Sequence, residues 1–212
     1  MKTLILFLLI SSFSFSQKVY RYDKWKASEL KAAKNYTAIS FLDPTEKEML
    51  YYANLVRINP KLFCETYLQE YIDINHLDRR NTYVASLIKM LNNSKPSCVL
   101  VADASLQEMA KSHAVYMGTK GLTGHNEFDK RIKKYLKGKF CGIGENCSYG
   151  PNQAIDILMS FLIDEGVTSL GHRENLMNPD YNSVGISVKP HKTYGTNSVM
   201  DFGFGYQMLA EQ

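Results

Sequence analysis

From residue 43 to about residue 166 the chain shows apolar stripes at helical spacing divided by polar breaks, and beyond residue 183 the period changes to that of strands. At Asp43-Pro44-Thr45-Glu46 three helix-start signals coincide: Asp43 suits the cap, Pro44 the first helical position, and Glu46 the return position of a capping box. The predicted helix buries Met49, Leu50, Ala53, Leu55 and Val56 and stops at Asn59-Pro60, where a second helical run begins with Leu62, Phe63, Tyr67, Leu68 and Tyr71. Residues 72–81 are polar and loop-like. Val84, Leu87, Ile88 and Leu91 then recur at the i, i+3, i+4, i+7 spacing of an amphipathic helix that ends in 92–96. Over 104–120, Leu106, Met109, Ala110 and Met117 share one face with His113, and a helix over 152–165 buries Ile155, Leu158, Met159 and Leu162 before Gly166.

The alternation Val184, Ile186, Val188 and Met200, Phe202, Phe204, on either side of a polar turn at 191–197, predicts a β-hairpin with one face on a core. A third strand fits 142–148. Helices followed by a short antiparallel sheet with helical cover on both sides give an α+β fold, a three-layer α-β-α sandwich. No internal repeat or low-complexity segment is present.

The N-terminus has a different character. Lys2, the apolar run Leu4 to Ile10 and the small-residue stop at Ser14-Phe15-Ser16 form a secretory signal peptide, residues 1–16, too short to span a bilayer. The expected organisation is 1–16 signal peptide, 17–42 N-terminal extension with a helical piece around 27–35, and 43–212 as one domain, secreted or periplasmic. A formal net charge of +4 is too small and too dispersed for a nucleic-acid footprint. The one basic cluster, Lys130, Arg131, Lys133, Lys134, Lys137 and Lys139, reads as a solvated helix face, with an anionic lipid or cell-wall polymer as the alternative partner.

Cys64, Cys98, Cys141 and Cys147 in an exported chain predict two disulfides, of three possible connectivities. Cys141 with Cys147 is favoured, because it would brace Gly144-Glu145-Asn146, and Cys64 with Cys98 then follows. The 14 tyrosines lie largely in the helical runs and read as core or rim residues.

The chemistry-bearing motifs come in one order: Asn54-Leu55-Val56-Arg57 with Asn59-Pro60, Leu106 to Met117 leading to Gly124-His125, Gly144-Glu145-Asn146, Gly171-His172-Arg173-Glu174-Asn175-Leu176-Met177, Tyr181 to Gly185, and Asp201-Phe202-Gly203. Together they resemble the CAP superfamily, the cysteine-rich secretory, antigen 5 and pathogenesis-related 1 proteins with their SCP domain, in its bacterial branch. The resemblance implies the α-β-α sandwich and a surface cleft of two histidines and two acids. His125 and His172 match the histidines and Glu145 the first acid. Phe161 or a neighbour occupies the direct counterpart of the second, which leaves Asp164 or Glu165 to supply it from a shifted position. His113, on an apolar stripe, reads as a core histidine outside the site.

Two imidazoles and one or two carboxylates can hold Zn²⁺ or another divalent metal, with His125 and His172 as ligands. Two functions follow. One is a binding module for a lipid, glycan or protein. The other is a metal-assisted hydrolase of peptide or cell-wall material with Glu145 as general base. The sequence supplies neither an oxyanion donor nor a specificity pocket, which favours the binding module over the enzyme.

Overall fold

In the computed structural model, which describes residues 20–205, the Asp43 capping box is formed: Asp43 accepts from the Glu46 backbone N–H at 2.9 Å, and Glu46 accepts from that of Asp43 at 2.9 Å. It opens α2 (Pro44–Ile58), preceded by α1 (Ala27–Ala33). The run from Pro60 is α3 (Pro60–Phe63) and α4 (Gln69–Ile74), joined through a π-helical stretch, Cys64–Leu68. Then come α5 (Thr82–Asn93), β1 (Val101–Ala102), α6 (Ala104–Lys120), α7 (Phe128–Tyr135), β2 (Gly142–Tyr149), α8 (Ala154–Ile163), α9 (Gly171–Met177), β3 (Ser183–His191) and β4 (Gly195–Phe204). The expected signal peptide, residues 1–16, lies outside the described residues.

The sheet has the order β1-β3-β4-β2, with β1 parallel to β3 and the other pairs antiparallel. Strand alternation divides it into two faces. Val184, Ile186, Met200 and Phe202 enter the main core with Leu50, Val56, Leu158 and Leu162 of α2 and α8. Glycine and small residues on the opposite face let α6 lie close: a Cβ on Gly185 would overlap the carbonyl group of Leu106. A second cluster there joins Leu106 and Met109 of α6 to Leu136 and Phe140, and a third joins Ala110 and Ala114 to Cys147 and Val199. The molecule is therefore the expected three-layer α+β sandwich, with α6 and α7 on one face and α2, α8 and α9 on the other.

Arg57, on the last turn of α2, is fully buried and makes no ion pair among the described residues. It donates to four carbonyl oxygens: Cys98 at 2.8 Å, Leu176 at 2.9 Å, Asn178 at 2.8 Å and Tyr181 at 2.6 Å. One guanidinium thus ties the N-terminal helices to the segment between α9 and β3.

The disulfide expectation requires correction. No disulfide joins the cysteines among the described residues. Residue 147 lies within β2 and Cys141 just precedes it; six residues of extended chain span about 20 Å, far beyond the ~7 Å limit for bridged α-carbons. The Cys141 thiol donates instead to the Gly205 carbonyl at 3.2 Å, and Cys147 is buried. Cys64 is buried near Asn92, whereas Cys98 is exposed and directed at the Pro179 and Tyr181 carbonyls, so that pair is not bridged either.

Candidate functional site

β2 is an edge strand whose alternation sends Glu145 to the α6–α7 face and Asn146 to the α8–α9 face. Each face receives one histidine–acid pair.

On the α6–α7 face, α6 ends at Gly121 in a left-handed conformation (φ 70°), and the loop that follows carries His125. The Gly124 peptide is pinned on both sides. Its N–H donates to the Tyr149 hydroxyl at 2.8 Å, and its oxygen accepts from His113 Nε2 at 2.9 Å. That anchorage sets His125 Nδ1 2.8 Å from Glu145 Oε1, with half of the imidazole side chain exposed (50%) and the carboxylate almost wholly buried (1%). Arg131 of α7 grips the same carboxylate with two parallel bonds, NH1 to Oε2 at 2.6 Å and NH2 to Oε1 at 2.9 Å, the geometry in which guanidinium–carboxylate pairing is strongest. Burial pushes the Glu145 pKa up, but the His125 and Arg131 hydrogen bonds and the Arg131 charge outweigh it and hold the group at about 2.

Asp201 of β4 stands opposite Glu145 in the ladder and is fully buried. Neither of its oxygens makes a well-formed hydrogen bond among the described residues. Burial first, then the neighbouring Glu145 charge, pushes its carboxyl well above the usual range, so it is the neutral member of the pair.

On the other face, Asp164 ends α8 in a left-handed conformation (φ 59°) and turns its carboxylate onto the start of α9. Oδ2 accepts from the backbone N–H groups of His172 at 3.0 Å and Arg173 at 3.1 Å, and Oδ1 lies 2.8 Å from His172 Nδ1. Asn146 Nδ2 donates to the His172 carbonyl at 2.8 Å, tying α9 to the strand that carries Glu145. The structure therefore brings His125 to Glu145 and His172 to Asp164. Glu165 points elsewhere and accepts from Asn81 at 2.8 Å. No hydrogen bond joins the two histidine–acid pairs among the described residues.

Sequence reasoning missed three participants. His113, set aside as a core histidine, is buried but lies 3.9 Å from Glu145 Oε1. Burial lowers its pKa, so it is neutral and donates from Nε2 to Gly124. The local pattern makes Arg131 a solvated cation and Asp201 only part of a motif, and neither shows the approach to Glu145.

Among the described residues, His113, Glu145 and Cys147 offer donor atoms within 4.8 Å of one another, a group that could hold a metal ion. Its present hydrogen bonds resist that use: Arg131 occupies both Glu145 oxygens, and burial holds the Cys147 thiol well above its usual pKa. His125 and His172 have the more suitable chemistry. Each imidazole is held by a carboxylate at Nδ1, while Nε2 makes no hydrogen bond among the described residues, the arrangement that orients metal-ligating imidazoles. A divalent ion on either nitrogen would supply a Lewis-acidic contact for a ligand oxygen.

A family model described as the cysteine-rich secretory protein family, CAP, matches residues 91–202, which include every residue of both pairs. The chain belongs to the CAP family. Among solved structures it is similar to an outer surface protein from Borrelia burgdorferi, at 25% identity over 60% of this CAP chain and 96% of that protein, with a TM-score of 0.43. An extracellular SCP-domain protein from Bacillus anthracis is 16% identical over 77% of this chain and 44% of its own, so less than half of that protein is spanned (TM-score 0.44). Venom allergen-like protein 4 of Schistosoma mansoni is 14% identical over 78% and 92%, with a TM-score of 0.48. No curated protein sequence matches the chain significantly. Among the described residues no helix is long and apolar enough to cross a membrane.

Proposed function

We propose that this CAP chain is an exported binding module, with a leader at 1–16, an extension at 17–42 and a domain at 43–212, whose His125–Glu145 and His172–Asp164 pairs recognise a lipid, glycan or protein ligand. The observation that carries this reading is the condition of the two acids. A general base works best with a pKa near the operating pH. Glu145, held at about 2 and gripped twice by Arg131, has little basicity at neutral pH. Asp164 has both oxygens engaged by α9. Fixed acids that orient imidazoles suit recognition, with Zn²⁺ or a similar ion bound through Nε2 of His125 and His172 as a support for ligand binding. This argues against the hydrolase, which needs Glu145 free to take a proton from water.

The test uses mature protein stripped of metal. Zn²⁺ titration should give saturable binding and a raised melting temperature, both lost in His172→Ala, because a ligand bound only by the folded state stabilises it. Peptide and peptidoglycan substrates should be unchanged by the zinc-loaded protein. Turnover that requires zinc and vanishes in Glu145→Gln would overturn the binding-module reading; equal melting with and without zinc would remove the metal from it.

A further inference from the structure

A cavity of about 340 Å³ opens between α6 and α7, beside the His125–Glu145 pair but outside it. Its wall includes Ser112 and Tyr116 of α6 and Lys130, Arg131, Lys134 and Tyr135 of α7. The volume lies at the small end of ligand pockets. Three cations face one carboxylate in the lining, Glu127, and that group is already paired with Lys130 at 2.6 Å. Arg131 is likewise matched by Glu145. Lys134 differs: it makes no ion pair among the described residues, and its Nζ stands 4.8 Å over the Tyr135 ring. The wall around it also favours negative charge: the neighbouring Ser112 hydroxyl and then Lys134 lower the pKa of the Tyr135 hydroxyl.

We propose that this pocket binds the phosphate group of a small phosphorylated ligand, with Lys134 as the principal cation, Lys130 beside it, and the hydroxyl of Tyr135 as a donor. Tyr116, about half exposed at the pocket wall, gives the rest of the ligand an aromatic surface. The phosphate belongs either to a soluble ester or to a lipid headgroup, for which Lys133 and Lys137 provide a surrounding positive field without lining the pocket. The inference rests on the reading of the chain as a binding module and gives that module a ligand chemistry.

Calorimetric titration with inorganic phosphate and glycerol 3-phosphate, and co-sedimentation with phosphatidylcholine vesicles with and without phosphatidic acid, test it on the mature protein. Lys134→Gln should weaken phosphate-ligand binding about tenfold, the loss of one charge-assisted contact, while Lys133→Gln on the same helix should change it less than about twofold. Binding of glycerol 3-phosphate assigns a soluble ester. Binding of phosphatidic acid vesicles alone, with the same Lys134 dependence, assigns a lipid headgroup. Equal losses in the two variants would mean diffuse attraction and overturn the pocket, as would a lack of saturable binding to every probe. Zinc titration of the same samples reports on the His125 and His172 pairs separately. Lost phosphate binding without zinc-dependent turnover overturns the pocket alone, whereas zinc-dependent turnover that vanishes in Glu145→Gln overturns the binding-module reading.

Discussion

Replacing Asp201 with Asn removes a proton that folding otherwise has to capture. In the native protein Asp201 is fully buried opposite Glu145, and its pKa lies well above the ordinary value. In the unfolded chain it titrates near about 3.9. The sign follows from linkage. A carboxyl with a raised folded pKa contributes stability that is fully present below the unfolded pKa and is lost as pH rises through the interval up to the folded value. Over that interval the native state holds up to one proton more than the unfolded state, so this group lowers stability by up to about 1.4 kcal/mol per pH unit. Asn keeps the shape, carries no titrating proton, and offers an N–H₂ donor to Glu145. The stability of Asp201→Asn relative to wild type should therefore rise with pH, whatever the constant offset from repacking. Urea unfolding of the metal-free proteins at about pH 4.5, 5.5, 6.5 and 7.5 measures that difference. Curves that run parallel across this range would show that Asp201 does not take up a proton on folding, and the reasoning from burial would fail.

Arg131→Met leaves Glu145 buried without its guanidinium and should cost roughly 3–5 kcal/mol at neutral pH, read from urea unfolding. Because Glu145 has a depressed folded pKa, its stabilisation is present above about 4.5 and lost as pH falls toward 2, so the variant's deficit should shrink in acid; a deficit independent of pH would contradict this account. Gly185→Ala places a Cβ against the Leu106 carbonyl and should destabilise by on the order of 1–3 kcal/mol or more, with loss of cooperativity near α6; an unchanged denaturation midpoint would mean that α6 does not lie as close as described.

The elements most legible in the chain were those with local causes. The capping box at Asp43 and Glu46 marks the start of α2, and the stripe of α6 from Leu106 to Met117 marks its buried face. The hairpin followed from alternation, and its small residues Gly185 and Ser187, which admit α6, were already visible as the polar phase of β3. What the sequence hid depends on contacts distant along the chain. Arg131 sits in a run of lysines with the same local pattern, and only the approach of α7 to Glu145 separates it from its solvated neighbours. Asp164 and Glu165 are adjacent carboxylates that local pattern does not distinguish. The left-handed turn at Asp164 aims one at α9, while the next reaches Asn81. The Cys141–Cys147 bridge is incompatible with a strand over 142–148, because a strand holds residues at its two ends apart.

The four carbonyls around Arg57 carry a consequence for the order in which this protein can form. Three of them, at Leu176, Asn178 and Tyr181, lie 119, 121 and 124 residues beyond the arginine. While the chain is being made, the second helix can coil, but its guanidinium has no place out of water until nearly the whole polypeptide exists. The native seat of Arg57 is therefore complete only once Tyr181 has been added, and a chain cut short before Tyr181 would lack at least one of the four carbonyls that hold the guanidinium.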